Sequence, residues 1–413
     1  MNKQKKFFSM LMKASNLFSK FILLLYLAKF TTTDTVAIFG LYWSGLVMAS
    51  MLMGFDLYSQ TTRNILDSKF SRTVELNNHL KFSRRVAFLI SPVAFLLFCY
   101  FVDAPSWVKL CFLLHLIFEY KNQEYSRLLI PLDRAFESSL LNFIRGSAWV
   151  FFAILASYII YDEFLEIVIV FWITGSIFAN VYGCFNIKKF IKTSDDNFSI
   201  RWVYNSLSAC LLFFLSTILL RSILSLDRFI IENLYNKDVL AVYIFNAAIV
   251  FAVVGLVDVG VSVWKYPGMI REIKKNDKEG YFISLKSFFV ENTVVSLIII
   301  LLVALLIPAL TDLFLDPIYG TGKNAFYLML MSVGLYSISM PLHYSIYGFG
   351  KDLYILVINL TGFISMLIFA KLEVFSDNVT NSSLLLTGGL VSIFIMRIIF
   401  CIKSTLNHSW KQD

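Results

Sequence analysis

The sequence has little charge for its length. Asp, Glu, Lys and Arg make up 15% of its 413 residues, and apolar residues make up 58%. Soluble domains average about 25% charged and about 45–50% apolar residues. A soluble fold of this length has too little interior to bury so many apolar side chains. The composition excludes intrinsic disorder, a disulfide-stapled secreted domain and a nucleic-acid-binding module, and it predicts a polytopic membrane protein.

Residue types that carry metal or redox chemistry are few and scattered. The five cysteines form no CxxC pair, and the four histidines have no HxH or HxxxH spacing. The run Gly320-Thr321-Gly322-Lys323 lacks the glycine spacing of a phosphate-binding loop. We therefore expect no metal site, no cofactor, no catalytic residue and no ATP hydrolysis, so the protein is not expected to be an enzyme.

Long apolar runs recur along the whole chain. A helix that crosses a bilayer needs about 20 such residues, and spanning segments without partners must be helical. We predict twelve spans, at residues 7–29, 35–56, 86–103, 105–120, 143–161, 163–186, 205–226, 239–264, 287–310, 324–347, 353–371 and 382–402. Pro267 is expected to terminate the eighth helix, and Pro341 is expected to allow the tenth to bend.

The basic residues lie mainly on one side of the predicted spans. If the N-terminus is inside, most of the 36 Lys and Arg residues fall in cytoplasmic segments. Clusters on that side include Arg84-Arg85, Lys188-Lys189 and Lys274-Lys275, whereas the outer loops at 162–163 and 312–316 are acidic. Both termini are therefore predicted to be cytoplasmic, and the net charge of +8 needs no nucleic-acid partner.

A weak internal repeat divides the chain. Gly54-Phe55-Asp56 ends the second span, and Gly255-Leu256-Val257-Asp258 lies in the eighth, about 200 residues later. The first and seventh spans each carry two cations seven residues apart, which share a helix face: Lys13 with Lys20, and Arg221 with Arg228. This pattern predicts two six-helix halves, residues 1–195 and 196–413, with the substrate site between them.

Two short motifs resemble those of a known family. Gly54-Phe55-Asp56-Leu57-Tyr58, followed by Arg63, resembles the motif that closes the second helix of bacterial polysaccharide flippases. Leu226-Asp227-Arg228-Phe229-Ile230-Ile231, followed by Val242-Tyr243, resembles their seventh-helix signature, although Val242 replaces the family's usual glycine. These flippases translocate O-antigen or other lipid-linked oligosaccharides and belong to the multidrug/oligosaccharidyl-lipid/polysaccharide (MOP) exporter superfamily.

The resemblance implies an all-α polytopic membrane protein with about twelve transmembrane helices in two six-helix bundles around a central cavity. It implies a location in the bacterial inner membrane and a cargo of undecaprenyl-diphosphate-linked oligosaccharide, which is moved outward by alternating access. Membrane lipid, a polysaccharide polymerase and a chain-length regulator are the other implied partners, and the protein is expected to act as a monomer.

A dianionic cargo requires cations in the transport cavity. A charge at the bilayer centre costs roughly 2.5–3.5 kcal/mol on insertion scales, so those present need a reason. We predict that the substrate contacts are, in order of preference, Lys20, Arg221, Lys13 and Arg228. The candidates for a coupling or counter-ion role are the carboxylates Asp258, Asp56 and Asp227. Snorkelling of Lys13 and an ion pair between Arg228 and Glu232 are the structural alternatives.

Two other functions fit the same hydropathy. An ion-coupled multidrug exporter of the same superfamily would have a more apolar cavity with a dominant carboxylate, whereas the predicted cations favour an anionic cargo. An O-antigen polymerase would carry a long outer loop, and the loops between the predicted spans are short.

Overall fold

The structure, a computed structural model, describes residues 3–66, 71–160, 164–191, 199–372 and 379–410. Ten helices in these ranges are long and apolar enough to cross a membrane, and two further long helices, α1 and α4, complete the set. In chain order they are α1 (Lys3–Phe30), α2 (Thr33–Met53), α3 (Arg72–Phe101), α4 (Ser106–Leu129), α5 (Ala135–Ile159), α6 (Phe164–Lys188), α7 (Ile200–Leu234), α8 (Lys237–Lys275), α9 (Lys278–Phe314), α10 (Lys323–Gly348), α11 (Asp352–Leu372) and α12 (Val379–Leu406).

Each predicted span falls on one of these helices, and the described ranges contain no strand. The prediction of an all-α, multi-pass membrane protein with about twelve long helices is confirmed. Most helices extend beyond the predicted spans. The helix α3, for example, begins at Arg72, where side chains such as Glu75 and His79 are buried against other helices. Hydropathy marks where a helix is apolar, whereas packing decides where it ends.

The chain packs as two compact units, Met1–Phe214 and Leu215–Asp413. The division that was predicted after residue 195 falls within residues 192–198, outside the described part of the chain, and it stays a prediction. The acidic outer segment at 162–163 also lies outside the described residues.

The first unit is organised around α4. This helix packs against α2, α3, α5 and α6, so most of its surface faces protein. Its polar side chains are buried accordingly, among them His115, Glu119, Asn122 and Glu124. These residues make α4 less apolar than the other long helices, but they face neighbouring helices, where polar groups in membrane proteins are placed.

Two helices contain a π-helical turn. The turn in α5 covers Ile144–Ala148, and the turn in α8 covers Asp258–Ser262. Such turns are rare and are frequent at functional sites. The expected stop at Pro267 is wrong, because α8 continues to Lys275. After the π-turn the α-helix restarts at Val263, so Pro267 lies close to the start of a new segment, where a missing N–H is better tolerated.

The second unit is organised around α12, which packs against α8, α10 and α11. Helix α10 is interrupted at Ser339, between the segments Lys323–Ile338 and Met340–Gly348. The interruption lies two residues before Pro341, at the position where the sequence predicts a helix that can bend.

The two members of the internal repeat differ in backbone. After α2, Phe55 and Asp56 have φ values of 49° and 50°, and this left-handed turn leads into the short helix Leu57–Leu66. Gly255 and Asp258 lie instead within the continuous helix α8. The repeat in sequence is therefore not matched by a repeat in local conformation.

Candidate functional site

The strongest predicted contact, Lys20, lies on α1 and is partly exposed. Its ammonium group lies 4.7 Å from the centre of the Trp43 ring on α2, a cation–π contact. Within the described part of the first unit, no carboxylate lies within ion-pairing distance of Lys20. The charges that act on it from nearby are those of Arg145 and Glu119.

Arg145 is the second cation of this region, and it comes from the π-turn of α5. Its Nη1 lies 3.3 Å from Oε1 of Glu119 on α4, and both side chains are largely buried. The carbonyl of Arg145 accepts a hydrogen bond of 3.0 Å from the Trp149 indole, within the same distorted segment. The π-turn therefore fixes the backbone from which Arg145 extends.

Helix α1 approaches this π-turn closely. Ser147 donates a hydrogen bond of 3.1 Å to Asn16, one helical turn before Lys20. A Cβ at Gly146 would clash with the same Asn16 side chain, so glycine permits the approach of the two helices. Lys20, Arg145 and Glu119 thus form one group, which we call the first-unit charge cluster.

The two carboxylate oxygens of Glu119 differ in their contacts. Its Oε1 also accepts a hydrogen bond of 3.4 Å from Gln123, which donates in turn to Ser50 at 2.7 Å. Its Oε2 is buried and has no hydrogen-bond partner among the described residues. His115, one turn earlier on α4, is bonded to Tyr42 and Ser176 at 3.0 Å each, and these bonds use both ring nitrogens.

Aromatic rings border the first-unit charge cluster. The Trp43 and Trp172 ring centres lie 6.0 Å apart, and Trp172 stacks on Trp149 at 5.3 Å. Trp149 and Trp172 are nearly buried, whereas Trp43 is partly exposed beside Lys20. The arrangement combines two cations, one carboxylate and a partly exposed aromatic face. Such a group can bind an anion through its cations and an attached flat or ring-shaped group through the indole.

The other predicted residue of the first unit is Asp56. It is 3% exposed and lies in the left-handed turn after α2, where its carbonyl accepts bonds from the backbone and hydroxyl of Ser59. The motif around it docks on the end of α4, because Arg127 stacks on Tyr58 at 4.3 Å and also pairs with Glu124. Arg63 of the same motif is exposed. The side chain of Lys13 lies outside the described residues.

In the second unit the two parts of the seventh-helix motif meet. The Tyr243 hydroxyl on α8 donates to the carboxylate of Asp227, and the N–H of Arg228 donates to the same carboxylate at 2.9 Å. Both Asp227 and Tyr243 are fully buried. Arg221 and Arg228 lie on α7 and are partly exposed. This arrangement gives Asp227 a role in joining α7 to α8.

Asp258 is the first residue of the α8 π-turn and accepts a hydrogen bond of 3.3 Å from Tyr344 on α10. It is therefore positioned by helices of its own unit. No group of three or more His, Cys, Asp or Glu side chains that would suit a metal ion occurs within the described ranges.

Two cations were not among the residues predicted from the sequence. Arg145 lies near the start of the fifth predicted span, 143–161, whereas α5 begins at Ala135. Arg397 lies near the end of the last predicted span but is 1% exposed inside the second unit. The available signal was simple: each is an arginine inside an apolar run, and such residues are rare unless they have a partner or a function.

Solved structures with the same fold are transporters. Over 96% of both chains, the structure matches an inward-facing multidrug resistance MATE family transporter of the MOP superfamily, with a TM-score of 0.72 and 12% identity. An outward-facing MATE family transporter matches over 97% of this chain and 94% of that chain, with a TM-score of 0.67 and 12% identity. The chain has the MATE/MOP transporter fold.

A third neighbour is a MOP superfamily transporter from Pyrococcus furiosus Vc1 (DSM3638), described as having a binding pocket of reverse polarity that suggests a different function. It matches over 97% of this chain and 92% of that chain, with a TM-score of 0.64 and 13% identity. No family model matches the chain, and no curated protein sequence does. These likenesses establish the fold and leave the cargo open.

Proposed function

We propose that the protein transports undecaprenyl-diphosphate-linked oligosaccharide from the cytoplasmic to the periplasmic leaflet of the bacterial inner membrane by alternating access. The observation that carries the proposal is the charge balance of the first-unit charge cluster. Lys20 and Arg145 supply two positive charges, and Glu119 supplies one negative charge. The excess cation in a low-dielectric region needs an anion, and a diphosphate would supply it.

The chemistry of the two cations suits a phosphate. The guanidinium of Arg145 can hold two phosphate oxygens at once, whereas Lys20 acts as a single point charge. Trp43 beside Lys20 offers an aromatic face on which a sugar ring can stack. The flippase motifs in α2, α7 and α8 support the same cargo class, and the predicted contacts Arg221 and Arg228 remain part of the proposal for the second unit.

The neighbours support transport as the activity and agree with a variable cargo. Two are multidrug resistance transporters, and one is described as having a pocket of reverse polarity. Binding pockets of different polarity therefore occur on this fold. The excess of cations in the first-unit charge cluster favours an anionic cargo.

The test compares ligands of opposite charge on the purified protein in lipid nanodiscs. We expect undecaprenyl diphosphate to bind, and undecaprenol, which lacks the phosphates, to bind at least tenfold more weakly. Lys20→Met and Arg145→Met should each weaken diphosphate binding, and Lys20→Arg should retain part of it. Lys29→Met is the matched control, because Lys29 is an exposed lysine on the same helix α1. Equal binding of the two lipids would overturn the proposal.

A multidrug exporter is the second candidate, favoured by the spare oxygen Oε2 of Glu119. A buried carboxylate with an unused oxygen can bind a cationic drug or a proton. In that case ethidium should bind to the nanodisc protein, and Glu119→Gln should abolish that binding while Arg145→Met leaves it intact. The flippase proposal expects no ethidium binding.

A further inference from the structure

Helix α10 is interrupted in the interior of the second unit. In an unbroken α-helix, the carbonyl of Tyr336 would accept the N–H of Met340, and the carbonyl of Ser337 would accept from position 341. Position 341 is a proline and has no N–H. At the break, the N–H of Ser339 is shared between the carbonyls of Leu335 and Tyr336, at 3.0 and 3.2 Å.

Side chains from two neighbouring helices bind the carbonyls at the break. Asn292 on α9 donates to the carbonyl of Ser337 at 2.8 Å. Arg397 on α12 donates from Nη1 to the Ser339 hydroxyl at 2.7 Å and to the carbonyl of Tyr336 at 3.3 Å. Both side chains are almost completely buried. An irregular helix is tolerated in a membrane protein where neighbouring helices satisfy its backbone in this way.

Arg397 differs from an ordinary buried arginine because none of the described residues is an acidic partner for it. No carboxylate lies within ion-pairing distance of it in the described part of the chain. Its guanidinium carbon lies 4.4 Å from the centre of the Tyr336 ring, and its Nε is buried without a hydrogen-bond partner. All its bonded acceptors are neutral and belong to the interrupted stretch of α10.

This choice of side chain is informative. A methionine or leucine would fill similar space without the expense of burying a charge, so packing alone does not explain an arginine. A carboxylate would hold the guanidinium in one geometry, whereas neutral oxygens can be exchanged for one another at small energetic expense. Arg397 thus occupies the carbonyl of Tyr336, which also accepts a hydrogen bond of 2.7 Å from the Ser339 hydroxyl, without fixing a single conformation.

We propose that Arg397 is a positioning residue that keeps the backbone hydrogen bonds of α10 interrupted at Ser339. The segments Lys323–Ile338 and Met340–Gly348 can then change their mutual angle during the transport cycle. The inference rests on the proposed transport function. The segment Met340–Gly348 is also linked to the π-turn of α8, because the Tyr344 hydroxyl donates a hydrogen bond to Asp258. Asn292 connects the same two helices through Ser262 and Ser337. Movement at the break therefore reaches the carboxylate that the sequence marks as a coupling candidate.

The test is amide hydrogen exchange of the full chain in nanodiscs, read over residues 335–343. If Arg397 holds the helix open, Arg397→Met lets the carbonyl of Tyr336 accept the N–H of Met340, and exchange in this stretch should slow about tenfold. If Arg397 only stabilised the packing of α12 against α10, its loss would weaken that packing, and exchange in this stretch would become faster. Arg397→Lys should give intermediate exchange, because lysine retains the charge but lacks the planar fork.

Two further variants keep the result decisive. Ser339→Ala removes the shorter of the two oxygen contacts of Arg397 and also the hydrogen bond of 2.7 Å that the Ser339 hydroxyl donates to the carbonyl of Tyr336. It therefore frees the same carbonyl and should slow exchange in the same direction, even if Arg397→Met fails to fold. Ser404→Ala is the matched control, because Ser404 is a buried serine of α12 that bonds only within its own helix, to Phe400 at 2.7 Å. Faster or unchanged exchange in Arg397→Met, or in Ser339→Ala where the former is not recovered, would overturn the proposal.

Binding of undecaprenyl diphosphate is measured on the same samples. Slower exchange together with absence of lipid-diphosphate binding in the native protein would refute the proposed cargo and leave the role of Arg397 in place. Unchanged exchange together with native binding would refute the role of Arg397 alone.

Discussion

The sign of the effect of Glu119→Gln separates an anionic from a cationic cargo. Glu119 lies 3.3 Å from Arg145, and their side chains are 8% and 19% exposed. At an effective dielectric constant near 20, two unit charges at this distance attract by about 5 kcal/mol before desolvation is subtracted. Much of that energy offsets the burial of the two groups, so we expect a net coupling of about 1–3 kcal/mol in a double-mutant cycle.

An anionic ligand competes with Glu119 for the same guanidinium. The neutral glutamine is nearly the same size, and it removes this competitor without opening a cavity. We expect undecaprenyl diphosphate to bind about tenfold more tightly to Glu119→Gln, which corresponds to about 1.4 kcal/mol of the coupling. Affinity is measured by titration in nanodiscs, and the coupling by denaturant unfolding of Glu119→Gln, Arg145→Met and the double variant.

The control is Glu137→Gln. Glu137 also pairs with an arginine, at 3.0 Å, but Arg134 in that pair is 47% exposed. An exposed pair contributes at most about 1 kcal/mol, so this variant should leave both stability and affinity near the native values. Weaker diphosphate binding in Glu119→Gln would refute the competition between Glu119 and the diphosphate for Arg145.

Three further predictions concern topology and stability. Reporter fusions should give periplasmic signals after residues 30 and 316 and cytoplasmic signals after residues 75 and 276, and a periplasmic signal at 75 or 276 would reverse the orientation. Glu124→Gln should lower the free energy of unfolding by about 3 kcal/mol in a denaturant titration, because Glu124 is 1% exposed and lies 2.6 Å from His79 and 3.0 Å from Arg127; a loss below 1 kcal/mol would contradict a buried role for this carboxylate. Tyr243→Phe removes a hydrogen-bond donor to the buried Asp227 and should lower the free energy of unfolding by about 1–3 kcal/mol. Tyr327→Phe removes an exposed hydroxyl and should change the free energy of unfolding little.

The number of helices and their approximate positions follow from the sequence. Each apolar run of about 20 residues corresponds to one long helix, because a backbone in hydrocarbon can satisfy its own polar groups only as a helix when it has no strand partner. The polar short loops and the absence of a nucleotide-binding pattern follow from the sequence as well. Lys20 was predicted as a substrate contact in the same way, as a charge within an apolar run.

The tertiary structure decided which charges belong together. Arg145 and Glu119 are 26 positions apart in the sequence, and neither has a Lys, Arg, Asp or Glu of opposite charge three or four residues away on its own helix. They meet because α4 lies at the centre of the first unit and because a π-turn in α5 sets the direction of Arg145. A pattern along one helix gives its faces, but the neighbour on each face depends on how the bundle packs.

The same distinction applies to Arg397. It lies within the last predicted span, 382–402, where the sequence alone assigned it no partner. The packing of α12 against α10 instead buries it beside a helix break. Pro341 marked the break in the sequence, since proline lacks an N–H wherever it occurs. The groups that occupy the freed carbonyls come from helices that are remote in sequence, so only the folded structure could assign them.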